Sequence, residues 1–168
     1  EQRCMPDERV TFRRGLRNVP TDAEQKLTSL NDAFHHDDLS VQVPPHLTSA
    51  RPLRLLHVVS SAAQQALFPL TVITVGEGSS VTIIDEYVSL QSSSREDAFL
   101  INSRIELALE RGARVHYVRL QRWGANAREF LLQRATLAGD ASLTSANIAL
   151  GAVVSKAHLV TKLTGERA

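Results

Sequence analysis

The sequence holds one cysteine, one methionine and one tryptophan, and only 5% of its residues are aromatic. A single thiol excludes a disulfide framework within the chain. It also excludes a zinc or iron–sulfur site built from several of the chain's own cysteines, and it is compatible with a reducing compartment. An excess of either charge is missing too. Nineteen Lys and Arg against eighteen Asp and Glu leave a formal net charge of +1 over 168 residues. That gives no electrostatic case for nucleic acid or an anionic membrane as the main partner. Long apolar runs are absent. Residues 55–76 carry no formal charge, but His57, Ser60, Ser61, Gln64, Gln65, Pro69, Thr71 and Thr74 interrupt them. Such a stretch does not suit a spanning helix and reads as two strands with a loop between them. No charged segment leads into an apolar one in the manner of a secretory signal.

What is present suffices for a core. The apolar fraction is 43%, and the length fits one domain or a piece of one. Residues 1–20 are expected to form a polar N-terminal segment, with Arg3, Arg9, Arg13, Arg14 and Arg17 solvated and Cys4 an exposed bystander. Thr21-Asp22-Ala23-Glu24 reads as a capping box. Leu27, Leu30 and Phe34, with Ala23 and Ala33, then recur at three- and four-residue spacing, which predicts a helix over about 22–34 within an N-terminal unit 21–36. Its apolar stripe should dock on the body that follows. From Leu39 onward, short β-favouring runs alternate with turn residues. The candidate strands are 40–43, 53–59, 70–75, 81–88, 103–109, 115–120, 130–137, 143–150 and 159–163. Residues 90–97, rich in serine, read as an exposed loop.

A repeat organises these runs. Val75-Gly76-Glu77-Gly78-Ser79-Ser80-Val81 is followed by Leu109-Glu110-Arg111-Gly112-Ala113-Arg114-Val115. A third copy is Leu137-Ala138-Gly139-Asp140-Ala141-Ser142-Leu143, and Leu163-Thr164-Gly165-Glu166-Arg167-Ala168 begins a fourth. Their first residues stand 34, 28 and 26 positions apart. Each copy is a strand end, a glycine-containing turn, a small residue and a new strand. Glycine allows a positive φ at a corner, and a small residue allows close stacking. Strand-containing periods of this length indicate a β-helix in preference to a sandwich. The expected fold is therefore all-β: a β-helix or stacked β-roll (β-solenoid) with a short N-terminal helix, and 39–168 a partial β-helix truncated at its C-terminal end. A solenoid interior of stacked small and aliphatic side chains needs few aromatics.

No catalytic pattern stands out. A cupin-type metal site needs a His-x-His pair, which is absent. His35-His36-Asp37-Asp38 is the densest cluster of metal-ligating types, but adjacent residues of an extended segment face opposite ways. His57, His116 and His158 sit singly in strands; stacked on one face they would form a ladder. Asp85-Glu86 offers paired acids, again facing opposite ways. Phosphate-loop and nucleophile-elbow patterns are missing. Trp123, in a polar stretch over 121–128, reads as either a contact residue or a surface-packed one. No catalytic, cofactor-binding or metal residue is assigned.

Several segments together resemble a known family. Leu30-Asn31-Asp32-Ala33-Phe34-His35-His36-Asp37 is followed by Val41-Gln42-Val43-Pro44 and Arg51-Pro52-Leu53-Arg54-Leu55-Leu56. Asp85-Glu86-Tyr87-Val88, Arg114-Val115-His116-Tyr117, Leu120-Gln121, Thr144-Ser145, Ala149-Leu150-Gly151 and Leu163-Thr164-Gly165-Glu166 come after, in family order. The chain resembles the SufB/SufD family of iron–sulfur cluster assembly proteins. Asn31-Asp32-Ala33-Phe34 and the near-absence of cysteine lean toward the SufD branch. The sequence departs from the family pattern at Asp37-Asp38, where Asp-Gly is usual, and around Lys156 and His158, where an Arg and an Asp are usual. The resemblance implies an all-β fold, a right-handed parallel β-helix (β-solenoid) with a short N-terminal helix, flanked by helical regions. It implies a non-enzymatic scaffold subunit partnered by SufB and the ATPase SufC, in bacterial cytoplasm or plastid stroma. The iron–sulfur cluster would belong to the full complex and not to this fragment. Self-association through an exposed β-helix end is a further expectation. The competing readings are a carbohydrate-acting β-solenoid hydrolase or lyase, which requires Asp85, Glu86, Glu106 and Asp140 to converge, and a homo-oligomeric structural solenoid.

Overall fold

The computed structural model describes residues 22–36, 38–60, 66–90 and 98–168. Cys4, the five N-terminal arginines, Thr21 of the expected capping box, Asp37 and most of the serine-rich loop lie outside the described residues. One helix, α1 (Asp22–Phe34), precedes ten strands: β1 (Leu39–Val43), β2 (Leu53–Ser60), β3 (Ala66–Leu67), β4 (Leu70–Val75), β5 (Ser80–Leu90), β6 (Phe99–Leu109), β7 (Arg114–Arg122), β8 (Ala127–Leu137), β9 (Ser142–Ala149) and β10 (Val154–Leu163). Nine of these are the expected strands, several running a few residues longer; β3 has too short a run of residues to signal itself.

The strands deal themselves alternately into two sheets. The first has the order β1-β4-β6-β8-β10, with β3 also against β6; the second is β2-β5-β7-β9. Every pairing is parallel. A strand in one sheet, a corner and a strand in the other make one coil, and about four coils stack into a β-solenoid. The register explains the repeat. Val43, Val75, Leu109, Leu137 and Leu163 are successive partners in the first sheet. Val81, Val115 and Leu143 are successive partners in the second. Residues alternate inward and outward along each strand, as the two-residue period of a strand demands. In β7 the inward row is Val115, Tyr117, Arg119 and Gln121, all buried.

Between these two columns lies the corner. Its third residue takes positive φ: His46 at 62°, Gly78 at 64°, Gly112 at 67° and Asp140 at 61°. There the amide N–H points along the solenoid axis. His46 donates to the Glu77 carbonyl, Gly78 to Arg111, Gly112 to Gly139 and Asp140 to Glu166, at 2.7–3.0 Å. In the third copy the glycine is thus not the positive-φ residue. Asp140 fills that slot, since aspartate tolerates the left-handed region better than most residues. The next position is small and buried in the first three repeat copies, as Ser79, Ala113 and Ala141.

α1 lies across the outer face of the first sheet. Its seat is more polar than its apolar stripe suggests. Asn31 Nδ2 donates to the Asn102 carbonyl at 2.8 Å, and Asn102 Nδ2 donates to the Leu27 carbonyl at 2.7 Å. Arg104 on β6 pairs with Asp32, and the Phe34 ring tilts over Phe68 at 5.4 Å. Thr28 and Asn31 are buried, whereas Leu30 and Phe34 remain exposed. The amide clamp, not the aliphatic stripe, sets the position of the helix.

Candidate functional site: a polar network inside the coils

At the corner end the interior is aliphatic, with Val75, Val81, Leu107, Leu109, Val115 and Leu137 all buried. Farther along the strands it becomes polar. Asp85 projects inward from β5 and is fully buried. It accepts from the Tyr87 hydroxyl at 2.9 Å and from the Tyr117 hydroxyl at 2.5 Å, and His57 Nε2 lies 2.8 Å from its other oxygen. A carboxylate only accepts, so in that contact Nε2 carries the proton. The His57 ring stacks on Tyr87, with centroids 4.2 Å apart and planes within 2°.

One coil on, Arg119 occupies the same inward row, being the register partner of Asp85. Its guanidinium sits 4.4 Å from the Tyr87 centroid and pairs across the interior with Glu129 of β8. Both side chains are 1% exposed. Glu129 also accepts from Trp123 Nε1 at 2.9 Å and from the Ser155 hydroxyl at 3.1 Å. Arg119 Nη1 reaches Asn147 Oδ1 at 3.4 Å, while its Nε has no partner among the described residues. Gln121 closes the row by pairing with both backbone groups of Gly151. A side chain on Gly151 would meet the Trp123 carbonyl 1.9 Å away.

The chemistry of this network is fixing rather than reacting. Each charge has an opposite charge or hydrogen-bond donors against it, as burial requires. Burial, with the Asp85 charge adding to it, pushes the Tyr87 and Tyr117 hydroxyls well above their ordinary range, so both stay protonated donors. Among the described residues, no group of three or more His, Cys, Asp or Glu could hold a metal ion.

The residues singled out by sequence scatter. His35 Nδ1 lies 2.7 Å from Asp38 Oδ1 beyond the end of α1, and His36 is exposed. His57 points inward, while His116 and His158 lie on the exposed outer rows of different sheets, so the three histidines form no ladder. Trp123 is neither a surface contact nor packed on the outside. It is buried in the core, edge-on to Tyr87 and Phe99, because the polar stretch around it contains the end of β7 and the start of β8. Asp85 is interior. Glu86 is on the outer face of the second sheet between Arg54 and Arg122. Glu106 is on the outer face of the first sheet, paired with Arg104, and Asp140 is at a corner with Arg167 and Arg111. The convergence that a carbohydrate-cleaving site requires is not there.

Arg119, Glu129 and Tyr117 went unmarked in the sequence, although a signal existed. Asp85, Arg119 and Asn147 each stand four positions after a corner residue, Val81, Val115 and Leu143. Counting by twos from the repeat places all three inside.

The family model for the SUF system FeS cluster assembly, SufBD core domain, matches residues 57–168. The chain belongs to this family. The match begins at His57, the first residue of the polar network, and runs through every coil that follows. No curated protein and no solved structure shows significant similarity to the chain. Membership ties the chain to iron–sulfur cluster assembly in the SUF system. No helix among the described residues is long and apolar enough to cross a membrane.

Proposed function

We propose that the chain is a SufD-like, non-catalytic scaffold subunit that works with a SufB-like subunit and a SufC-like ATPase. The observation that carries this reading is the SufBD core match over 57–168. The presence of one cysteine, Cys4, in 168 residues supports the SufD branch, because a cluster held by several thiols cannot be built from these residues alone. The tightly paired interior supports a structural role: its ionic and hydroxyl groups are committed to one another. The iron–sulfur cluster is cargo of the complex and not a resident group of this chain, and the expected compartment is bacterial cytoplasm or plastid stroma.

The test is co-expression of the full-length protein with the SufB-like and SufC-like subunits of the same genome, purified through a tag on this chain. Recovery of all three at fixed stoichiometry is expected. Elution of this chain alone, while the other two purify together, contradicts the reading.

Self-association is the second reading, favoured by the last coil. Among the described residues nothing pairs with the outer edges of β9 and β10, and the inward-row Leu159 and Leu163 of β10 are exposed. Unpaired parallel edges with apolar rows attract another strand. Sizing chromatography of the 168-residue chain decides it: a dimer supports the reading, a monomer at micromolar concentration removes it.

A further inference from the structure

The outer faces of the two sheets differ in what covers them. On the first, α1 supplies Asp32 to Arg104 and an amide clamp to Asn102. On the second, no described element lies over the strands. One register row there runs Leu56, Glu86, Leu120, Ile148, with Leu56 54% and Ile148 42% exposed. Val58, one step along the outer row of β2, is 50% exposed. Exposed aliphatic side chains gathered on one sheet face are the kind of surface that marks a protein interaction site. The charge at its centre is lopsided. Glu86 is held by Arg54 and Arg122 together, and no other carboxylate projects from the outer rows of β2, β5, β7 and β9. Two guanidinium groups on one carboxylate leave a positive centre ringed by aliphatic side chains.

We propose that this face docks an amphipathic helix of a partner subunit in the cluster-assembly complex. That helix presents apolar side chains on either side of a carboxylate. It shares with the seat of α1 on the first sheet the pairing of a helix carboxylate with a strand guanidinium, as Asp32 meets Arg104 there. A second copy docked through the same face does not fit, because it would bring a like positive centre against the first. The proposal rests on the scaffold reading above, and commits it to a surface.

The test uses the full-length protein with Cys4→Ser and either Leu56→Cys or Ile148→Cys. Maleimide labelling is followed on the free protein and on the complex with the SufB-like and SufC-like subunits. Labelling of both positions is expected to be rapid in the free protein and slower by roughly tenfold or more in the complex. If one variant fails to fold, the other decides. Unchanged labelling in an intact complex overturns the docking proposal and leaves the scaffold reading standing. Slow labelling already in the free protein shows that its own chain covers the face, which also overturns it. Failure of the wild-type chain to form the complex overturns both.

Discussion

The solenoid interior has two halves built on different physics. Toward the corner, Val75, Val81, Leu107, Leu109 and Val115 stack coil on coil, and nothing but apolar area and close packing holds them. Toward the far end, Asp85, Tyr87, Tyr117, Arg119 and Glu129 meet with specific partners at fixed distances. The aliphatic half tolerates changes that conserve volume and resists holes. The polar half tolerates neither the loss of one partner nor a shift in register, because each lost contact strands a buried charge or hydroxyl. A parallel strand slipped by one residue would put Arg119 outside. The polar half therefore specifies which coil stacks on which, and the aliphatic half supplies most of the burial.

The largest expected effect comes from breaking the buried pair. Glu129→Ala leaves Arg119 and Trp123 Nε1 without their acceptor and should destabilise the chain by about 3–5 kcal/mol, read as a lower urea midpoint. Next is Leu107→Ala in the aliphatic half, at about 2–4 kcal/mol from lost contact and the cavity left behind. Tyr117→Phe removes one hydrogen bond to Asp85 and no volume to speak of. Its cost should be about 1.5–3 kcal/mol, and a larger cost than Leu107→Ala would erase the distinction between the halves.

A smaller effect concerns pH and sits outside both halves. The Arg54 hydrogen bond, with Arg122 adding to it and burial opposing, holds the Glu86 carboxyl below its ordinary value of 4.5. A lowered native value means that the unfolded chain takes up its proton first as pH falls. The contribution is present above about pH 4.5 and is lost as pH drops through the depressed native value. Glu86→Gln should therefore lower the neutral plateau of a stability–pH curve, leave its acid end nearly unmoved, and so flatten the acid limb between them. Tyr87 and Tyr117 act at the other end. Their raised values keep them protonated when the unfolded chain's tyrosines ionise above about pH 10, so stability falls progressively with rising pH there. Tyr117→Phe should blunt that alkaline loss.

The aliphatic half was legible in the sequence and the polar half was not, for a physical reason. Corner residues repeat as recognisable types because every coil must turn in the same way; thus Val75, Leu109 and Leu137 announced the stacking, and Gly78 and Gly112 the turn. Inward polar residues carry no such repetition. Asp85, Arg119 and Asn147 share a row and differ in type, since a network needs complementary groups and not identical ones. Taken one at a time, Asp85 read only as one of a pair of adjacent acids, and Arg119 and Asn147 drew no reading at all. Trp123 misled for a related reason: its neighbours Gln121 and Arg122 suggested a loop, but Gln121 is an inward residue satisfied by Gly151. α1 was placed at its observed bounds by three- and four-residue spacing, yet the side chains that seat it, Thr28 and Asn31, are not the ones that gave the pattern.

The central claim is that this chain supports cluster assembly structurally and that its interior takes no part in the chemistry. The most direct measurement is the rate of cluster formation by the complete complex carrying His57→Asn, compared with wild type at equal complex concentration. Among the charged and aromatic members of the polar network His57 is the partly exposed one, with a side chain 19% exposed, and so the one best placed to react. The account predicts an unchanged rate for a variant that copurifies normally. A rate lost by tenfold or more, on the order of 1.4 kcal/mol or more in the barrier, with the complex and its urea midpoint intact, would contradict it.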